Sequence, residues 1–181
     1  MKKLFAVFVF MVFTFFSFGQ IPLSINKVDE FNGSVNKATK SSYGVFKSEN
    51  SLGQLILSMG RVDSTYFIIL RLSTDLGCLS QYDGKCMIKF SDGTILNFAQ
   101  ATETDCSDSP AAQYYLVARE EMNLENVFEI MKENRKKLES SPIDKIRVYG
   151  SKYYNDYIPN PKFRGDFNAK DVLILHIKSL K

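Results

Sequence analysis

The chain of 181 residues contains one histidine, His176, and that limits the chemistry available to it. Metal sites built on two histidines are out of reach, and a serine or cysteine nucleophile with an imidazole base would have to use this residue. No G-x-S-x-G elbow accompanies it, and its place between Leu175 and Ile177 reads as a packed or helix-surface position. Gly77 and Gly84-Lys85 are too far apart for a phosphate loop, and Cys86 stands where a magnesium-binding hydroxyl is needed. Glu103, Asp105 and Asp108 offer oxygen ligands to calcium but match no ligand register, so a solvated acidic loop is the plainer reading. Two carboxylates can hydrolyse a glycoside, yet nothing selects one pair from the 20 acids. These patterns assign no catalytic residue, no metal ligand and no cofactor.

Recognition chemistry is better represented. Tyr149, Tyr153, Tyr154, Tyr157, Phe163 and Phe167, interleaved with Lys152, Lys162 and Arg164, form the densest aromatic stretch after the N-terminal leader. A tyrosine presents an apolar face with a polar tip, which suits a sugar or a peptide. Tyr153, Tyr154, Tyr157, Lys162 and Arg164 are therefore the candidate binding residues, with packing of the segment onto the core as the alternative. The same segment contains Arg164-Gly165-Asp166, a tripeptide read by some adhesion receptors and one that also recurs by chance.

Three cysteines, Cys78, Cys86 and Cys106, allow at most one bridge. Cys86 is in phase with Ile88 and Phe90, so it points inward as a small apolar residue, whereas Cys78 and Cys106 fall in turn-rich loops. A Cys78–Cys106 disulfide is the expectation, and three free thiols the alternative.

The address follows from the first 19 residues. Lys2 and Lys3 precede an apolar run from Leu4 to Phe13, and Ser17 and Gly19 are small residues before Gln20. This reads as a secretory signal peptide over 1–19, too short to span a bilayer, with residues 20–181 as one domain that is periplasmic or extracellular. Without Lys2 and Lys3 the balance is 21 basic to 20 acidic residues, which gives nucleic-acid binding no support and predicts no stable membrane insertion once the leader is removed.

The elements that must position these groups are mostly strands. In residues 54–73 a turn at Asp63-Ser64 pairs Leu55 with Leu72, Leu57 with Leu70 and Met59 with Ile68, which makes one face of a hairpin apolar. Asn32-Gly33 marks a second hairpin, and a short strand is expected at Tyr43–Phe46. Ser91-Asp92-Gly93 marks a third hairpin, pairing Cys86 with Phe98, Ile88 with Leu96 and Phe90 with Thr94. Further strands are expected over Gln113–Arg119 and from after Pro142 to Gly150, and 151–167 is expected to be a connection. Leu124, Val127, Phe128, Met131 and Leu138 recur at helical spacing, predicting an amphipathic helix capped by Asn123, and Asn168 opens a second helix through Val172 and Ile177. The class is α+β: an antiparallel β-sheet or sandwich of short strands with two helices on one face.

VDEFNGS near the start, SDGT in the third hairpin and IDKIRVY after the first helix resemble a group of uncharacterised exported β-rich proteins of Bacteroidetes-type bacteria. The resemblance implies an exported β-rich protein and no particular activity. The function expected is a secreted or periplasmic non-enzymatic domain that binds a protein, peptide or glycan through loops at one end of its sheet. A carboxylate-dependent hydrolase and a structural envelope protein are the alternatives.

Overall fold

The computed structural model describes residues 20–50 and 53–181, so the leader expected over 1–19 lies outside the described residues. Among them are ten strands and two α-helices. The strands are β1 (Leu23–Val28), β2 (Val35–Thr39), β3 (Ser42–Ser48), β4 (Gln54–Val62) and β5 (Thr65–Leu72), followed by β6 (Lys85–Phe90), β7 (Ile95–Ala99), β8 (Ala111–Tyr115), β9 (Ile143–Tyr149) and β10 (Tyr154–Pro159). The helices are α1 (Val127–Ser140) and α2 (Val172–Ser179).

Every strand pairing is antiparallel. The central hairpin, β4 with β5, has the register that its alternation demands: Leu55 opposite Leu72, Leu57 opposite Leu70, Met59 opposite Ile68. Asp63 supplies the positive φ of 51° that the tight turn requires, a conformation aspartate tolerates better than most residues. Its amide also donates to Val35 O and its carboxylate accepts from Val35 N, each at 2.8 Å. The hairpin through Gly93 (φ 88°) pairs Cys86 with Phe98 and Ile88 with Leu96, as read from the sequence.

Eight of the strands close a ring. Followed by pairing, it runs β3, β4, β5, β8, β7, β6, β9, β10 and back to β3. The seam is the short contact of β7 with β8, a bridge between Gln100 and Tyr114 flanked by Ala99 N to Val117 O at 2.8 Å and Ala101 N to Gln113 O at 2.7 Å. β2 and β3 run as one bent strand along β4, and β1 adds a ribbon outside β2. Inward-facing residues, among them Phe46, Leu57, Leu70, Ile88, Phe98 and Ile146, are completely buried and fill the ring as a packed core.

The two ends of the barrel are closed differently. At the end where β5 finishes and β6 starts, loop 73–84, loop 100–110 and the β9–β10 turn bond to one another. Cys78 N donates to Ser151 Oγ and Ser151 N to Cys78 O, both at 2.9 Å, and Leu79 bridges Asp105. Gly150 lies so close to Leu76 that a Cβ there would meet Leu76 O at 2.3 Å. At the opposite end the helices lie against the inner face of the sheet, with Val172, Leu173, Ile177 and Leu180 of the α2 region in the same core cluster as the strand residues. Leu138 of α1 joins them, Asn134 Nδ2 donates to Leu116 O at 2.9 Å, and Lys137 pairs with Asp92 of the β6–β7 turn.

Three expectations about elements need correction. The segment 151–167, expected as a connection, contains β10, whose polar Asn155 is buried and donates to the Ser48 hydroxyl at 2.9 Å. The strand expected over Gln113–Arg119 is Ala111–Tyr115, after which Leu116, Val117 and Ala118 are all buried and Arg119 opens a 3-10 turn. The helix begins at Val127 after Asn126, not at Asn123, because the turns of 119–126 intervene. Leu124 is consequently outside the helix, and Phe128, about 80° round the helix from Leu138, is 70% exposed.

Candidate functional site

The alternation that buries Cys86, Ile88 and Phe90 turns Lys85, Met87 and Lys89 of β6 outward. It does the same for Lys145, Arg147 and Tyr149 of β9 and for Tyr154 and Asp156 of β10. Register then lays these side chains in rows across the outer wall: Tyr149 opposite Tyr154, Met87 beside Arg147 beside Asp156, Lys89 beside Lys145. The Tyr149 and Tyr154 rings lie 5.6 Å apart, with Lys85 Nζ 4.6 Å from the Tyr149 centroid and the Arg147 guanidinium 4.0 Å from that of Tyr154. Two rings are thus bracketed by two cations, a geometry in which the ring faces hold the charges in place.

The charges on this wall differ in how far they are neutralised. Arg147 donates to both oxygens of Asp156, Nε at 2.6 Å and Nη2 at 2.8 Å, and this fork holds the Asp156 carboxyl below the usual carboxylate range. Lys145 donates to Glu49 at 2.7 Å, which raises its pKa, and lies 3.6 Å from Asp156. Lys89 meets Asp144 at 3.5 Å with both side chains nearly half exposed. Lys85 has its ring contact, and among the described residues no carboxylate lies within ion-pair reach of it. Two hollows of about 280 and 150 Å³ flank Met87, the first reaching Tyr82 and Arg119, the second Lys89, Ile95 and Lys145.

The five residues singled out by sequence are not brought together. Tyr154 belongs to the wall just described. Tyr153 is 51% exposed beside it, in the stapled loops, where its hydroxyl donates to Asp75 O at 2.6 Å. Tyr157 is fully buried in the core and cannot touch a surface ligand. Lys162 and Arg164 are exposed beyond the far end of β10, roughly 20 Å from Tyr154 along a six-residue strand. Arg164-Gly165-Asp166 lies in that segment next to the packed rings of Phe163 and Phe167, 5.1 Å apart. Lys85, Met87 and Arg147 escaped the sequence reading, although the alternation that marked their neighbours as core also marked these as outward.

The expected disulfide is present: Cys78 and Cys106 are joined with Cα atoms 4.0 Å apart, and Cys86 is free and buried. Burial pushes the Cys86 thiol pKa up, so it is inert while the fold is closed.

His176 does meet a serine. Its Nε2 is 3.0 Å from Ser42 Oγ and its Nδ1 2.6 Å from Thr39 Oγ1, while Met59 N donates to Thr39 Oγ1 at 2.9 Å. The ring is completely buried, and burial lowers its pKa to about 3. A general base needs a pKa near the working pH, so near neutrality this imidazole is a poor one. What the arrangement can do is anchor α2 to the bend between β2 and β3.

A third hollow, about 200 Å³, lies between α1 and the β4–β5 tip, lined by Tyr66, Leu116, Phe128 and Met131 with Lys132 and Arg135. The described residues hold no helix long and apolar enough to cross a membrane, and no group of three or more His, Cys, Asp or Glu that could hold a metal ion. Compared with protein-family models, curated proteins and solved structures, the chain matches none.

Proposed function

We propose that this chain is an exported, non-enzymatic domain that binds an extended ligand on the outer wall of β6, β9 and β10. The observation that supports this reading is the Lys85–Tyr149–Tyr154–Arg147 ladder, in which aromatic faces and fixed cations share one exposed surface. The leader pattern of residues 1–19 and the Cys78–Cys106 bridge support a periplasmic or extracellular address, and the resemblance to exported Bacteroidetes-type proteins agrees with it.

The rival hydrolase is less well supported. A glycosidase acid needs a carboxyl whose pKa is raised, whereas Asp156, the buried carboxylate of the wall, is lowered by Arg147. The test is binding of the exported protein to arrays of glycans and of peptides, alongside a Tyr154→Ala variant. Binding that Tyr154→Ala loses supports the reading; no binding, or binding indifferent to this change, rejects it.

A further inference from the structure

We infer that the ligand of this wall is an acidic polysaccharide, a polymer with carboxylates on its sugar rings, stacked on Tyr154 and paired to Lys85. This rests on the binding reading above and narrows it to one chemical class. β6, β9 and β10 are each paired on both edges, so a peptide cannot add to the wall as a further strand. Recognition must therefore come from outward side chains. Tyrosine faces suit the C–H faces of sugar rings, and the hydroxyl tips suit their hydroxyls.

The charge pattern selects an acidic polymer over a neutral one. Arg147 and Lys145 are committed to Asp156 and Glu49 by short hydrogen bonds, but Lys85 is positioned by the Tyr149 ring without being neutralised. Lys89 is held by a longer, solvent-exposed pair of the kind that contributes little and exchanges readily. Lys85 and Lys89 face the same way on β6, roughly 13 Å apart, with Met87 between them; the hollow on the Lys85 side is also lined by Asp83, Arg119 and Glu120, and that on the Lys89 side by Lys145 and Arg147. A chain of uronate sugars that crosses from Tyr154 over the Tyr149 ring reaches Lys85, about 10 Å away across the strands, and continuing along β6 meets Met87 and then Lys89. A neutral sugar would leave the Lys85 charge unused.

The experiment titrates the exported protein with polygalacturonate and with its fully methyl-esterified form, which has the same backbone without the charge. The inference expects the acidic polymer to bind at least tenfold more tightly, and Lys85→Glu and Tyr154→Ala each to weaken it by about tenfold or more, the scale of one charge-assisted contact. Binding should weaken with added salt, and Lys162→Glu, at the far end of β10, should change nothing. Equal, Tyr154-dependent binding of both polymers would overturn the acidic assignment and leave the wall as a neutral-glycan site. Equal losses for Lys162→Glu and Lys85→Glu would overturn it as diffuse charge attraction. Binding of neither polymer would overturn it too, with the arrays then deciding whether the wall binds anything. Melting temperature checks that each variant is folded, and Lys85→Gln replaces Lys85→Glu if that variant is not.

Discussion

The two ends of the barrel solve one problem by different physics. A closed ring of strands leaves backbone and core open at both mouths. At the loop end Leu76 and Leu79 are the buried apolar plugs, and backbone hydrogen bonds among three loops, locked by Cys78–Cys106, complete the closure. At the helix end closure is by burial of Val172, Leu173, Ile177 and Leu180, with a neutral histidine seated among them. The first end is therefore sensitive to reductant and the second to acid. A barrel can carry two unrelated environmental sensitivities because its mouths are far apart and share only the core between them.

The largest effect should come from damaging that shared core. Leu70→Asp places a carboxylate between Leu57 and Ala112 at a fully buried position, costing several kcal/mol of a total near 5 to 15. Soluble expression should be lost; a wild-type yield and melting temperature would contradict the packing described. Next, replacing Cys78 and Cys106 by serine removes a bridge across 28 residues, about 3 to 4 kcal/mol, and should lower Tm by about 10 °C. Alkylation of the unreduced, denatured protein should label Cys86 alone.

The acid response isolates the helix end. His176 has a pKa of about 3 when folded and about 6.5 when unfolded, so between these values the unfolded state holds the extra proton. Stability is then full above about pH 6.5 and falls as pH drops, by up to about 1.4 kcal/mol per pH unit. From pH 6.5 to 5.0, before carboxylates titrate appreciably, the loss is about 1.6 kcal/mol, or roughly 5 °C in Tm. His176→Gln should flatten that slope whatever its own stability, and a slope unchanged in this variant would refute the assignment. The smallest effect is local: Gly150→Ala drives a methyl into Leu76 O, and relaxation of the loop end should limit the cost to about 1 to 2 kcal/mol. In that variant the pH slope should stay intact while reduction becomes easier.

The core-facing pattern of the strands is legible in sequence, and of the closure the Cys78–Cys106 bridge and the last helix are, but not the contacts that seat them. The pairing of Leu57 with Leu70 and of Cys86 with Phe98 follows from a period of two and a short turn, so local pattern sufficed. The tyrosines and prolines of 151–167 suggest a connection, and Asn155 and Asp156 within it look like loop residues too. Their polarity makes sense only beside Ser48 and Arg147, which come from distant parts of the chain. The β7–β8 seam and the seat of His176 are likewise non-local, with Thr39 and Ser42 lying 137 and 134 residues from it in the chain. The outward row of Lys85, Arg147, Tyr149 and Tyr154 is hard to read for another reason: it is not a dense run of tyrosines but is assembled from three strands by register.

The β7–β8 seam gives the ring a preferred line of parting. Along the β4–β5 boundary eight residue pairs face each other, whereas the seam rests on one bridge and its two flanking bonds. A hoop under strain opens at its clasp, so slow breathing of this barrel should expose the Ala99 and Ala101 amides to deuterium before those of β4 or β5. The segment between β7 and β8 carries Cys106, so the disulfide ties that clasp to the loop leaving β5. Reduction would then do more than lower stability. It should quicken exchange at the seam first, converting a redox change into a mechanical one.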